Sequence, residues 1–273
     1  MPEGHTIHRL ARELQRAFGR RPVSASTLQE RFTDGAAMLD GATMTRTDAH
    51  GKHLFLVFRA RRPADRLLHI HLGLYGKFPI AAAPAQDPRG ALRLRIENDT
   101  AWADLRGPTA CELITPLERD AIIARLGPDP LRADADPERA WARISRSKMA
   151  IGALLMSQDV LSGIGNVYRA EVLFRHRVSP FREGRFVTRE EWDAIWVDLC
   201  VLLRAGVRAG RIVTTLAEDR PRRGRPLSSK TRREDSFYVY RRTGEPCRIC
   251  GTEIATEVMA TRNLFWCPEC QAE

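Results

Sequence analysis

The spacing of apolar positions divides the chain into distinct textures. Residues 5–18 (HTIHRLARELQRAF) put Ile7, Leu10, Leu14 and Ala17 or Phe18 on one face with arginines between them, which predicts an amphipathic helix. The segments around 54–58 (LFLVF), 67–72 (LLHIHL), 91–97 (ALRLRIE) and 101–105 (AWADL) are short, partly alternating and bounded by Gly, Pro and Asp. That pattern predicts strands of an antiparallel structure. The first hundred or so residues therefore read as a helix followed by a β-rich body. From Pro116 the texture changes. LGPDPL at 126–131 is a turn-rich connector, and helical spacing follows at 137–145, 148–157, 166–176 and about 189–208.

Strands first and helices afterwards predict an α+β chain of more than one domain. The expected boundaries are an N-terminal β domain at 1–117, a connector at 118–135, a helical domain at 136–235 and a small C-terminal module at 236–273. A basic run, RPRRGRPLSSKTRRE at 220–234, holds seven cations and no acid before Glu234. It reads either as a solvated loop or as a segment that approaches a polyanion. No internal repeat is visible.

Composition narrows the function classes. The 273 residues carry 44 Lys+Arg against 34 Asp+Glu, a net charge of +10, and only four of the cations are lysines: Lys52, Lys77, Lys148 and Lys230. Arginine-rich surface fits phosphate recognition, and it fits codon bias equally well. No apolar run approaches the roughly eighteen residues of a membrane span. The start, with Glu3, His5, His8 and Arg9, lacks the apolar stretch of a secretory signal, so a cytoplasmic protein is expected.

The sharpest chemical signal is at the other end. Cys247-x2-Cys250, sixteen residues, then Cys267-x2-Cys270 is the spacing of a four-thiolate zinc site. Four sulfurs close the coordination sphere, so the expected ion is structural. Phe237–Arg241 (FYVYR) and the run up to Trp266 are expected to flank it as strands.

Two further features acquire meaning in combination. In Ser162-Gly-Ile-Gly-Asn-Val-Tyr-Arg-Ala-Glu171 a glycine-rich turn precedes a helix beginning at Asn166. Such a turn can present unpaired N–H groups to a phosphate, with Asn166 capping the helix or donating to the same anion. Alone, it is also an ordinary helix–turn–helix with glycines for close packing; with the basic charge and the zinc module, nucleic-acid backbone binding is the better reading. At the start, removal of Met1 would leave Pro2 as a free secondary amine able to form an iminium with a sugar aldehyde carbon, with Glu3 beside it to move protons.

MPEG at the start, GKHL at 51–54, GIGNVYRAE at 163–171 and GEPC-x2-C…RNLFWCPEC at the end together resemble the formamidopyrimidine-DNA glycosylase and endonuclease VIII family of bacterial base-excision repair. The resemblance implies an N-terminal β-sandwich with a leading helix, a helix–two-turn–helix domain and a zinc finger, with damaged double-stranded DNA bound between the domains by a monomer. It implies that Pro2 attacks C1′ of a damaged nucleotide, that Glu3 assists sugar-ring opening, and that Lys52 contacts phosphate and assists elimination. Arg262 takes the place of the finger arginine that binds phosphate in catalysis. Asn166 and Arg125 take the places of further DNA contacts.

The loop His71-Leu72-Gly73-Leu74-Tyr75-Gly76 resembles the one that fills the stack once a nucleotide is flipped, with Leu74 and Tyr75 as wedges. Both side chains also read as core residues at a strand end. Gly73 replaces the glutamine of the endonuclease VIII version, and Thr6 replaces a common glutamate. Leu74-Tyr75-Gly76 and Arg125 favour oxidised pyrimidines, whereas His71-Leu72-Gly73 favours oxidised purines. A damaged-DNA-binding protein without lesion chemistry is the non-enzymatic alternative. An RNA-binding or ribosome-associated protein leaves Pro2-Glu3 unexplained.

Overall fold

Helix α1 (Gly4–Phe18) opens the computed structural model, which describes residues 2–59, 66–220, 232 and 234–272. The chain divides into two compact units, Met1–Arg125 and Leu126–Glu273.

In the first unit α1 is followed by β1 (Ser24–Ser26), a 3-10 turn (Glu30–Phe32), α2 (Thr33–Leu39), β2 (Thr43–His50), β3 (His53–Arg59), β4 (Arg66–His71), β5 (Ile80–Ala82), β6 (Leu92–Glu97), β7 (Ala101–Arg106), β8 (Ala110–Ile114) and α3 (Pro116–Ala124). The strands form two antiparallel four-stranded sheets in the orders β2-β3-β4-β8 and β1-β6-β7-β5. Leu54, Leu56 and Phe58 of β3 and Leu68 and Ile70 of β4 share one core with Leu94, Ile96, Ala103 and Leu105 of the second sheet. The unit is thus a sandwich. Ile7, Leu10, Leu14 and Phe18 of α1 join the same core, as the helical spacing predicts. Each such side chain contributes about 1.5–3 kcal/mol by leaving water. Two polar clasps fix the helix on β2: Thr47 N–H donates to Gln15 Oε1 (2.8 Å) and Thr47 Oγ1 to the Ala11 carbonyl (2.8 Å).

Period 2 along β3 and β4 turns His53, Phe55, His69 and His71 away from the core that Leu54, Leu56, Leu68 and Ile70 enter. The outer face of this sheet is therefore lined by histidines.

The stretch expected to be a connector, 118–135, is helical in its first part. Thr115 and Glu118 form a reciprocal capping box at the start of α3, and none of the helix's residues is buried. The boundary between the units follows at Arg125.

The second unit holds α4 (Pro137–Ile144), α5 (Ile151–Leu154), α6 (Asn166–Arg175), a 3-10 turn (Gly184–Phe186), α7 (Arg189–Ala209), β9 (Ala255–Met259) and β10 (Arg262–Trp266). Helix α7 starts on a second capping box, Thr188 with Glu191, and stops at Gly210 in the left-handed conformation (φ 68°). The helices enclose a core around Trp192, Tyr168, Leu161 and Leu199. A smaller core joins Ala170 and Phe174 of α6 to Val239, Ile254 and Phe265 around the cysteines. The helix expected over 148–157 is short, four residues of α5, and the chain then makes two successive turns before α6. The basic run at 220–234 lies outside the described residues, apart from Arg220, Arg232 and Glu234.

Candidate functional site

Glu3 is the N-cap residue of α1; its backbone carbonyl accepts from Thr6 N–H (2.9 Å), while its side chain makes no capping bond. The side chain is fully buried, and Pro2, immediately before it, is half-buried. The rigid first turn of the helix thus fixes where a proline nitrogen and a carboxyl group stand. Lys52 sits in the two-residue turn between β2 and β3, where His50 faces His53 across the hairpin and Gly51 takes φ 58°. Positive φ at this position favours glycine.

The loop after β4 exposes both of its large residues. Leu74 is 39% and Tyr75 84% accessible, so neither is a core residue at a strand end. Gly73 holds φ 65°, and a Cβ there would stand 2.0 Å from Thr109 Oγ1. A larger residue at this place would displace the Thr109 hydroxyl and hold a strained backbone. Arg125 is exposed at the C-cap of α3, its N–H donating to the Ile122 carbonyl (3.3 Å).

In the second unit the glycine-rich turn is braced from within, contrary to the expectation of unpaired amides. Gln158 accepts from Gly163 N–H (3.1 Å) and donates to the Ile164 carbonyl (2.9 Å). Gly165, and not Asn166, occupies the N-cap of α6. Asn166 is the first helical residue and reaches sideways: its Nδ2 donates to the Asn263 carbonyl (2.8 Å), and its Oδ1 accepts a short bond from Arg169. The structure so brings Asn166 against the strand that carries Arg262. Arg169, fully buried, also donates to the carbonyls of Gly152 (3.4 Å) and Met259 (3.3 Å), tying α5 and β9 to the start of α6.

Arg262 is the first residue of β10, directly after a two-residue turn in which Ala260 and Thr261 both take positive φ (51° and 59°). It is paired with Met259, and its guanidinium donates to the Thr261 carbonyl (2.9 Å).

The four predicted cysteines converge. Their Sγ atoms all lie within 4.8 Å of one another, with Cys247 and Cys270 3.9 Å apart and Cys250 and Cys267 3.4 Å apart. Tetrahedral thiolates on one zinc ion would stand about 3.8 Å apart, so this donor set fits a single structural zinc. Backbone N–H groups of Ile249 and Cys270 point at Cys247 Sγ and Cys267 Sγ, each at 3.4 Å.

The strands flanking this site are β9 and β10; Phe237–Arg241 is not a strand. The residue responsible is Glu171, whose role the sequence reading missed. Oε1 accepts from the N–H groups of Val239 (2.9 Å) and Tyr240 (2.8 Å), and Oε2 from Tyr238 N–H (2.8 Å) and, in a shorter bond, the Thr214 hydroxyl. One carboxyl group holds three consecutive amides in a turn instead of a ladder. Burial pushes its pKa up, against the pull of the four donors.

The histidines on the first unit's outer sheet face form a further titratable cluster. His53 Nδ1 and His69 Nε2 are 2.9 Å apart, and His69 Nδ1 is 2.9 Å from Glu112 Oε1. Burial, then the charges of His71, His69, His50 and Arg125, lower the pKa of His53 to about 3. Burial, His69 and Lys52 lower that of His71.

Three family models match the chain: the formamidopyrimidine-DNA glycosylase N-terminal domain over residues 1–111, the formamidopyrimidine-DNA glycosylase H2TH domain over 126–218, and the zinc finger found in FPG and IleRS over 244–272. Endonuclease 8 1 of Mycobacterium bovis is 49% identical over 99% of this chain and 100% of its own length. Endonuclease 8 2 of the same organism is 31% identical, again over 99% and 100%. Among solved structures, MutM in complex with carbocyclic 8-oxo-G containing DNA superposes with a TM-score of 0.79 at 24% identity, covering 100% of both chains. The Lactococcus lactis Fpg with an abasic site containing DNA superposes with a TM-score of 0.78 at 24% identity, over 99% of this chain and 100% of that one. At such identity the likeness concerns the fold.

Proposed function

The chain belongs to the formamidopyrimidine-DNA glycosylase and endonuclease VIII family, whose members are DNA glycosylases with AP lyase activity in base-excision repair, and on that premise we propose that it excises oxidised pyrimidines from duplex DNA through an iminium on Pro2. The observation that carries the reading is Pro2 followed by a fully buried Glu3 at the rigid start of α1, in a chain nearly half identical to an Endonuclease 8 over almost its whole length.

With Met1 removed, the Pro2 nitrogen attacks C1′ while the C1′–base bond breaks and the base departs with a proton. The C1′–O4′ bond then opens, Glu3 supplying the proton that O4′ takes, and the sugar remains on Pro2 as an iminium. Loss of a C2′ proton expels the 3′ phosphate, and a second elimination expels the 5′ phosphate; water then releases Pro2. Lys52 and Arg262 hold the phosphates that flank the reacting sugar, with Asn166 and Arg125 as further backbone contacts. The exposed Leu74 and Tyr75 suit a wedge that occupies the stack left by the flipped nucleotide. In this reading one monomer acts on chromosomal DNA in the cytoplasm, and no helix of the described residues is long and apolar enough to cross a membrane. One zinc held by Cys247, Cys250, Cys267 and Cys270 would shape the hairpin that carries Arg262, and four thiolates would leave it no open position for substrate.

Borohydride trapping tests the mechanism. Incubated with duplexes carrying an abasic site or a single oxidised base, the protein should form a covalent adduct, and Pro2→Gly should reduce it at least about 100-fold, as expected when a nucleophile is lost. Undiminished trapping by Pro2→Gly would sink the Pro2 mechanism, and binding without any adduct or cleavage would favour the non-catalytic alternative. The same duplexes rank pyrimidine against purine lesions.

A further inference from the structure

Arg169 is a fully buried cation on α6 that the mechanism above does not use. Taking a guanidinium out of water is costly, and what it gains depends on where its fork of donors is aimed. Nη2 donates to Asn166 Oδ1, and Nη1 to the carbonyls of Met259 (3.3 Å) and Gly152 (3.4 Å). Met259 is the cross-strand partner of Arg262 and the last residue before the turn of Ala260 and Thr261. Its side chain lies so close to α5 that a Cβ at Gly152 would stand 2.9 Å from the Met259 sulfur.

These bonds grip the backbone on both sides of Arg262. Asn166 and Arg169, three residues apart, share one face of α6. Asn166 holds the carbonyl of Asn263, the residue after Arg262 (2.8 Å), and Arg169 holds the carbonyl of Met259, the residue opposite it. The two grips are themselves bonded, Arg169 to Asn166. A guanidinium only donates, so Asn166 must turn Oδ1 toward it. The NH2 group is thereby committed to the other side, with one N–H on the Asn263 carbonyl and the second without a partner among the described residues. A flipped amide would set that NH2 against the buried guanidinium, donor against donor.

We propose that Arg169 is a positioning residue for DNA binding: it orients the Asn166 amide so that one N–H is left for a phosphate, and it holds the end of the hairpin from which Arg262 projects. The two phosphate contacts of this unit therefore form as one. The inference rests on the assignment of Asn166 and Arg262 to DNA phosphates. Lysine at this place keeps the charge but replaces the planar fork by a single ammonium, which cannot meet Asn166 and both carbonyls in the same geometry. Supply of charge and positioning by the fork are thus separable in one variant.

Fluorescence anisotropy of the full, zinc-loaded chain on a duplex with a tetrahydrofuran abasic analogue, followed over a range of salt, counts phosphate contacts. Each contact adds about 0.9 to the slope of log K against log salt. Arg169→Lys should still bind one zinc and yet lower that slope by about 0.9–1.8, the loss of one or both contacts. A smaller folded fraction would lower the amplitude and leave the slope alone. The wild-type slope in zinc-loaded Arg169→Lys would overturn the inference. Should that variant fail to fold, Asn166→Ala, Arg262→Ala and the double variant decide. Joined contacts should make the combined loss of affinity about fivefold smaller than the product of the single losses, and losses that multiply overturn the inference. A wild-type chain that does not bind the duplex, or binds it without salt dependence, would overturn the phosphate assignments themselves, and this inference with them.

Discussion

The two units are held together in different ways. The first is a regular sandwich in which one apolar core spans two sheets and a helix, with a buried charge pair in the fork of Arg95 on Asp104 (2.7 and 2.9 Å). The second has two smaller cores, and polar side chains bind its backbone directly: the buried Glu171 with three amides, the buried Arg169 with two carbonyls, and the half-buried Gln158 inside the turns. Five of the six cysteines lie in the second unit, four of them clustered, whereas six of the seven histidines lie in the first. Regular backbone satisfies its own hydrogen bonds and leaves side chains to pack; irregular backbone needs side chains to satisfy it.

Metal removal should expose this contrast most strongly. Cys247→Ser, or prolonged chelation, should abolish the single bound zinc and unfold the module around β9 and β10, because binding of such an ion is folding free energy. Zinc analysis and near-ultraviolet circular dichroism check this. A fully folded, metal-free hairpin would remove zinc from the account. The N-terminal sandwich, with no part in the zinc site, should keep its strands.

Glu171→Gln makes the next largest change. The amide offers one oxygen where two are needed and points its NH2 at either the Val239 and Tyr240 amides or the Tyr238 amide. A loss of about 2–5 kcal/mol is expected, with zinc still bound at low temperature. A midpoint of thermal unfolding within about 1 °C of wild type would show that these bonds contribute little.

Acid should affect the first unit earlier. His53 in the folded state sits at about 3, below its ordinary 6.5, so its contribution is complete above pH 6.5 and disappears as pH falls toward 3. His5, lowered by burial to about 4, acts in the same direction. In the second unit Asp198 on α7 is raised by burial but held net below the carboxylate range by His176 and Arg175, so its contribution persists until pH falls below about 4. Hydrogen exchange between pH 7 and 5 should show the sandwich opening first, and His53→Phe should reduce the difference. Equal acid sensitivity of the two units would refute this ordering.

The same contrast governs how far the sequence could be read. Helix α1 and the strands β3, β4, β6 and β7 follow their apolar period closely, because each buries one face in a shared core. Strand β2 escaped notice: TMTRTDAH is polar, and a register shift between Met44 and Arg46 breaks its alternation. Helix α3 buries none of its residues and so has no period to detect, although its Thr-x-x-Glu box was visible. FYVYR looks like a strand by composition, and only Glu171, some seventy residues earlier in the chain, makes it a turn. Among the candidate site residues, the cysteines were legible because their spacing alone defines the chemistry. Asn166 was placed correctly at the start of α6, but its contact with Asn263 depends on two segments that meet only in the folded chain.

The hairpin tip before Arg262 is built from Ala260 and Thr261, neither of which prefers the left-handed region it occupies. Exchange of either for a residue that tolerates positive φ, such as Gly or Asn, should leave the strand pairing of β9 and β10 in place. A change in their number does not. Inserting or deleting one residue shifts β10 against β9 by a single step, and every side chain along it passes to the opposite face. The aim of the Arg262 guanidinium is therefore encoded in the parity of the turn, a property set by length more than by the side chains at its tip.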